Sequence, residues 1–199
     1  MNITVLVEGE TEQAFKKCLT NFLESRLGGK MPRIKFLNEG GRIPKGTELK
    51  RVVENLLKTN DAVIALTDVY TGTNDFTAPN DAKNKMRQWV GDHPNFYPHV
   101  AHHDFEAWLI PYWSDIQKLA KHNKSKPGSN PEQINHQKPP SYHIKEIFEA
   151  GKCQRSYKKP RDGMKILKDK DLLVSANACP ELKAFLNTIL QLSGGTLIS

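Results

Sequence analysis

Three acids in this chain stand where they could do chemistry together. Glu8 follows the run Ile3-Thr4-Val5-Leu6-Val7, Asp68 follows Asp61 to Thr67, and Glu106 comes shortly after Asn95 to Ala101. Each run reads as a strand, the last more weakly than the others. In a parallel sheet the carboxyl ends of all strands share one edge, where open α/β folds take their ligands. Carboxylates gathered there repel one another and raise each other's pKa unless a cation joins them. Oxygen-only donors favour Mg²⁺ or Mn²⁺ over zinc. Such ions activate water and stabilise the oxygens of a phosphoryl transition state. Taken singly, each acid reads equally as a solvated charge, and Glu106 in the first turn of a helix would stabilise that helix in any case.

These acids need a sheet to hold them. Gly9 permits a sharp turn after the first strand. Phe15, Cys18, Leu19, Phe22, Leu23 and Leu27 then recur at helical spacing, and Gly28-Gly29 stops that helix. Arg33 to Leu37 predicts a short strand, followed by the loop Asn38 to Arg42. Leu49, Val52, Val53, Leu56 and Leu57 predict a helix over Thr47 to Lys58. Asp81 to Val90 predicts another, stopped by Gly91. The fourth strand should be broken by Pro98, and Phe105 to Tyr112 should begin a helix. From His122 to Pro140, Lys, Asn, Ser, Pro and Gln dominate, which predicts a mobile loop or insertion. Tyr142 to Ala150 and Pro180 to Leu192 read as helices with a Lys-rich stretch between them. The alternation predicts an α/β domain over 1–120 with a mostly parallel central sheet. A Lys-rich insertion and basic, helical C-terminal extension, 121–199, should pack on the same domain.

The chain has 199 residues, enough for one domain with a real core. No apolar run approaches the ~20 residues of a membrane span. The N-terminus reads as a strand and not as a signal peptide. Cys18, Cys153 and Cys179 are odd in number and form no CxxC, which favours a reducing cytoplasm. Net charge is +7, and it is unevenly spread. Residues 1–120 balance 15 basic against 15 acidic side chains, whereas 121–170 carry 13 against 5. One basic segment of this kind suits a nucleic-acid partner, DNA or RNA. Lys158, Lys159 and Arg161 beside Tyr157 fit phosphate contacts with an aromatic stacking partner; the alternative is a solvated basic loop. His99, His102 and His103 invite a zinc reading, but no cysteine completes the set. Trp89, Trp108 and Trp113 have apolar neighbours and read as core.

Val7-Glu8-Gly9-Glu10-Thr11-Glu12 resembles the glutamate motif of TOPRIM domains, the metal-binding domain of topoisomerases, primases and OLD-type nucleases. Thr67-Asp68-Val69-Tyr70 stands where those domains carry Asp-x-Asp. His103-Asp104-Phe105-Glu106-Ala107-Trp108-Leu109 resembles the later acidic motif of OLD-type proteins. The whole order is similar to a small bacterial TOPRIM-like family that also shows an Asp-Phe, here Asp75-Phe76, and a Tyr-x-Lys-x-x-Asp-Gly, here Tyr157 to Gly163. The resemblance implies a Rossmannoid fold and a Mg²⁺- or Mn²⁺-dependent nuclease. In it Glu8 is metal ligand or general base, Asp68 a metal ligand and Glu106 a second-metal ligand. It also implies an ABC-type ATPase partner in bacterial phage defence. Tyr70 departs from the pattern, replacing the second Asp; Asp75 or Asp104 could supply the missing oxygen. The alternative is a non-catalytic nucleic-acid-binding or ATPase-partner subunit with a degenerate metal site.

Overall fold

The computed structural model describes residues 1–9, 11–29, 31–69, 75–134 and 138–199. Four strands, β1 (Asn2–Val7), β2 (Arg33–Asn38), β3 (Ala62–Val69) and β4 (Phe96–His102), form an all-parallel sheet in the order β2-β1-β3-β4. Helices α1 (Thr11–Arg26), α2 (Gly46–Leu57) and α3 (Pro79–Val90) make the crossovers. The central strands β1 and β3 are apolar along nearly their whole length because both of their faces are covered. Ile3, Val5 and Val7 with Ala62, Ile64 and Leu66 face α1 and the C-terminal helices. Leu6, Val63, Ala65 and Val69 face α2 and α3, where Leu49, Val53, Met86 and Val90 close the second core.

Pro98 does not break β4. The strand lies at the sheet edge and pairs only with β3, so a residue without an N–H is tolerated in it. Phe105 to Tyr112 forms two 3₁₀ turns, Phe105–Trp108 and Ile110–Tyr112, ahead of α4 (Trp113–Ala120). Pro111 stands at the start of the second turn and has no N–H to extend a regular helix.

The C-terminal part belongs to the same core. Helices α5 (Pro140–Ala150), α6 (Lys159–Leu167), α7 (Leu172–Ala178) and α8 (Pro180–Leu192) send Ile144, Phe148, Ile166, Leu172, Phe185 and Ile189 into the cluster that covers one sheet face. The Lys-rich stretch between α5 and α8 thus contains two helices, α6 and α7, that composition hides. Nor is 122–140 wholly a solvated loop. Pro131–Gln133 forms a 3₁₀ turn whose Glu132 is buried and accepts bonds from the Glu181 amide at 3.1 and 3.2 Å. Trp108 and Trp113 are buried, and Trp89 is partly so. Among the described residues no helix is long and apolar enough to cross a membrane.

Candidate functional site

The β1–β3 register runs to Val7 opposite Leu66, so one further step sets Glu8 beside Thr67. There the Thr67 hydroxyl donates to Glu8 Oε1, and the Asp68 amide supports the same carboxylate. Asp68 is the penultimate residue of β3, opposite Ala101 of β4, and so points to the face covered by the C-terminal helices. His103 follows β4, and its positive φ of 71° turns the chain and delivers Asp104 and Glu106 to the same edge. Both acids are fully buried. Behind β2, Gly40 and Gly41 adopt φ of 75° and 134°, values that L side chains rarely take. The Gly41 amide meets the Glu8 carbonyl at 2.6 Å, and the turn brings Arg42 close enough for its charge to act on Glu8.

The charges of these groups act on one another's titration. Glu8 is held above its ordinary pKa by burial, against the pull of Thr67, the Asp68 amide, Arg42 and Lys159. Asp68 is pushed well up by burial and then by the charges of Glu8, Asp104 and Glu106, with Lys159 opposing. Asp104 is raised by burial and then by Glu106. Three carboxylates therefore act on Asp68, and a cation beside it would relieve that repulsion.

One cation comes from the protein. Lys159, the first residue of α6, reaches Glu106 Oε2 at 3.0 Å, and the Tyr157 hydroxyl donates to Glu106 Oε1 at 3.3 Å. Burial alone would lower the Lys159 ammonium; Glu106, Asp68 and Asp104 outweigh it and hold it above its usual value. Behind Lys159 lies a second buried acid, Asp162. Its oxygens accept from Arg155 at 2.8 and 2.9 Å, from Arg161 at 3.1 Å and from the Lys158 amide at 2.8 Å. Burial works to raise the Asp162 carboxyl, but these donors hold it down at about 2.

Several expectations change. Tyr157 is buried against Phe148 with its hydroxyl on Glu106, so it offers no face to a nucleic-acid base. Lys159 faces the acids, and Arg161 is paired with Asp162; of the three expected phosphate contacts, Lys158 alone is exposed and without an ion pair among the described residues. Asp75 does not join the cluster: Lys45 at 2.6 Å and Arg42 at 3.1 Å hold it and keep its pKa low. Tyr70 lies outside the described residues. His99 is a core histidine, bonded to Thr188 at 2.9 Å and driven down to about 3 by burial. His102 stacks on His103 with ring centroids 4.3 Å apart. Sequence reasoning missed Thr67, Asp162 and the inward turn of Lys159. The Tyr-x-Lys-x-x-Asp-Gly pattern marked the last two but not their direction.

The donors suit Mg²⁺ or Mn²⁺ in kind, being carboxylate oxygens. Asp104 Oδ1 is buried and has no hydrogen-bond partner among the described residues, which leaves one oxygen for a cation. Yet among the described residues no three His, Cys, Asp or Glu side chains stand close enough to share an ion.

A family model described as "Domain of unknown function (DUF4276)" matches residues 7–190. The chain belongs to the DUF4276 family. The match takes in every residue of the acid cluster, from Glu8 to Lys159. Among solved structures, the DUF4276 chain is similar to the C-terminal region of the Burkholderia pseudomallei OLD protein, at TM-score 0.54 and 12% identity over 96% of this chain and 98% of that one. It is also similar to the C-terminal region of the Xanthomonas campestris pv. campestris OLD protein, at TM-score 0.52 and 15% identity over 96% and 93%. At such identities the likeness is one of fold, and it agrees with the TOPRIM-like α/β architecture read from the sequence. No curated protein matches.

Proposed function

We propose that this DUF4276 chain is a metal-dependent nuclease that hydrolyses phosphodiester bonds in DNA or RNA. The observation that carries this reading is the gathering of Glu8, Asp68 and the buried Asp104 and Glu106 at the carboxyl edge of a parallel sheet, where the charges of the other three act on Asp68. Glu8 and Asp68 would hold Mg²⁺ or Mn²⁺, which when bound supplies Lewis-acid activation of water and neutralises phosphoryl charge. The chain's own residues do the rest. The Thr67 hydroxyl and Asp68 amide fix the Glu8 carboxylate, whose raised pKa suits a proton acceptor. Lys159 keeps Glu106 and its neighbours from repelling an incoming phosphate, and Arg42, itself paired with Asp75, adds positive charge near Glu8. The basic segment 121–170, with exposed Lys158 nearest the site in sequence, favours a polymer over a small substrate. The motif resemblance read from the sequence implies an ABC-type ATPase partner and a role in bacterial defence.

A second reading has its own support. Tyr70 stands in the sequence where the resemblance expects the second Asp, and this favours a nucleic-acid-binding or ATPase-partner subunit with a degenerate centre. A cleavage assay separates the two. A nuclease nicks plasmid DNA or degrades structured RNA in Mn²⁺ but not in EDTA, and Asp68→Asn loses that activity while keeping its fold. Full activity in Asp68→Asn would refute the site. A binder shifts nucleic acid equally with and without metal and cuts nothing.

A further inference from the structure

We propose that Lys159 is a built-in second cation: the chain takes one divalent ion, at Glu8 and Asp68, and Lys159 fills the place beside Glu106 and Asp104 where a second ion would sit. The inference rests on the metal-dependent reading above and concerns the number of ions. Glu106 is fully buried, and both of its oxygens are committed, one to Lys159 at 3.0 Å and one to Tyr157 at 3.3 Å. A buried carboxylate needs a charge partner, and an ammonium supplies it without a metal. The Lys159 charge is also felt at Asp68, Asp104 and Glu8, so it compensates the whole cluster and not Glu106 alone.

The side chain is not a loose tether that an ion would push aside. Its backbone lies between Tyr157, buried and bonded to Glu106, and Asp162, buried and held by Arg155, Arg161 and the Lys158 amide. Moving Lys159 out would break the Glu106 pair and leave the acid for the ion to satisfy alone. Leaving it in place would set a divalent ion against an ammonium in a buried site, where like charges repel strongly. Glu8 is different. Its hydrogen bonds come from a hydroxyl and a backbone amide, neutral groups that orient an oxygen without neutralising it, while Arg42 and Lys159 act on it only through their charge. Glu8 is thus held by neutral donors, whereas Glu106 is paired directly with lysine.

Counting Mn²⁺ ions per chain tests this directly, by equilibrium titration read through electron paramagnetic resonance of free Mn²⁺ and by calorimetry. Wild type should bind one ion. Lys159→Met removes the charge and keeps the stem, and should bind two; Lys159→Arg should stay at one. Glu106→Gln should also stay at one, because Glu106 holds lysine and not metal. Circular dichroism checks that each variant is folded. If Lys159→Met does not fold, wild type and Glu106→Gln still decide. Two ions in wild type, or an ion lost in Glu106→Gln, would overturn the inference and leave the metal reading standing. A folded Lys159→Met that still binds one ion would overturn it too. No ion in wild type would overturn the metal-dependent reading itself.

Discussion

Glu132→Gln should stabilise this protein above neutral pH. Glu132 is only 5% exposed; it accepts the Glu181 amide at the start of α8 and the Trp108 indole N–H at 3.3 Å. Burial pushes its carboxyl up to about 7 from an ordinary 4.5, and the neighbouring Glu181 charge adds to the rise against the backbone bonds. The folded pKa is the higher one. Between these two values the folded protein holds a proton that the unfolded chain has released, so stability falls as pH rises through that window. A shift of about 2.5 units corresponds to about 3 kcal/mol at most, present below pH 4.5 and lost by about pH 7. Gln keeps an oxygen for Trp108 and Glu181 but never ionises. Its advantage over wild type should be near zero at pH 4 and grow to roughly 1–3 kcal/mol at pH 8, or some 2–10 °C in Tm for a domain of this size. Urea unfolding and thermal melts at four or five pH values measure it. A variant less stable than wild type at pH 8, or a difference that does not change with pH, would refute the reasoning.

Other predictions are simpler to state. Gly151→Ala should cost roughly 1–3 kcal/mol in urea unfolding, because a Cβ there would lie 2.0 Å from the Ala120 carbonyl oxygen and the backbone must shift; a neutral result would mean α4 and α5 are not packed as described. Lys158→Ala should flatten the log–log salt dependence of binding by about 0.9 on duplex DNA or about 0.7 on a single strand, as read by fluorescence anisotropy. Arg161→Ala should change it less, since Asp162 already holds that guanidinium. His99 should stay neutral from pH 5 to 8, with its ring resonances unmoved in an NMR titration, because burial drives it down to about 3.

Much of the sheet was legible because β1 and β3 are covered on both faces and therefore read as apolar runs. Glu8 and Asp68 were legible for the same reason, since each stands where such a run ends. The edge strand was harder: Pro98 looks like a breaker until one knows that β4 has a single partner. Helix α6 was hidden by its lysines and the short α7 by Lys168 and Lys170 just before it, because charge says nothing about the buried faces carrying Ile166, Leu167 and Leu172. The direction of Lys159 could not be read at all. It depends on α6 packing against α1 and on Asp162 gathering two arginines, which are contacts between distant parts of the chain. Glu132 was lost within a polar segment for the same reason: its burial is set by α8 and Trp108, about fifty and about twenty-five residues away.

The account turns on whether Glu8 and Asp68 share a divalent ion. Crystals of the wild-type protein soaked in Mn²⁺ and measured near the manganese absorption edge answer that by anomalous scattering. One peak within bonding distance of carboxylate oxygens of both Glu8 and Asp68, with Lys159 still on Glu106, is the predicted result. No peak at that edge of the sheet at millimolar Mn²⁺, or a peak that touches neither residue, would contradict it.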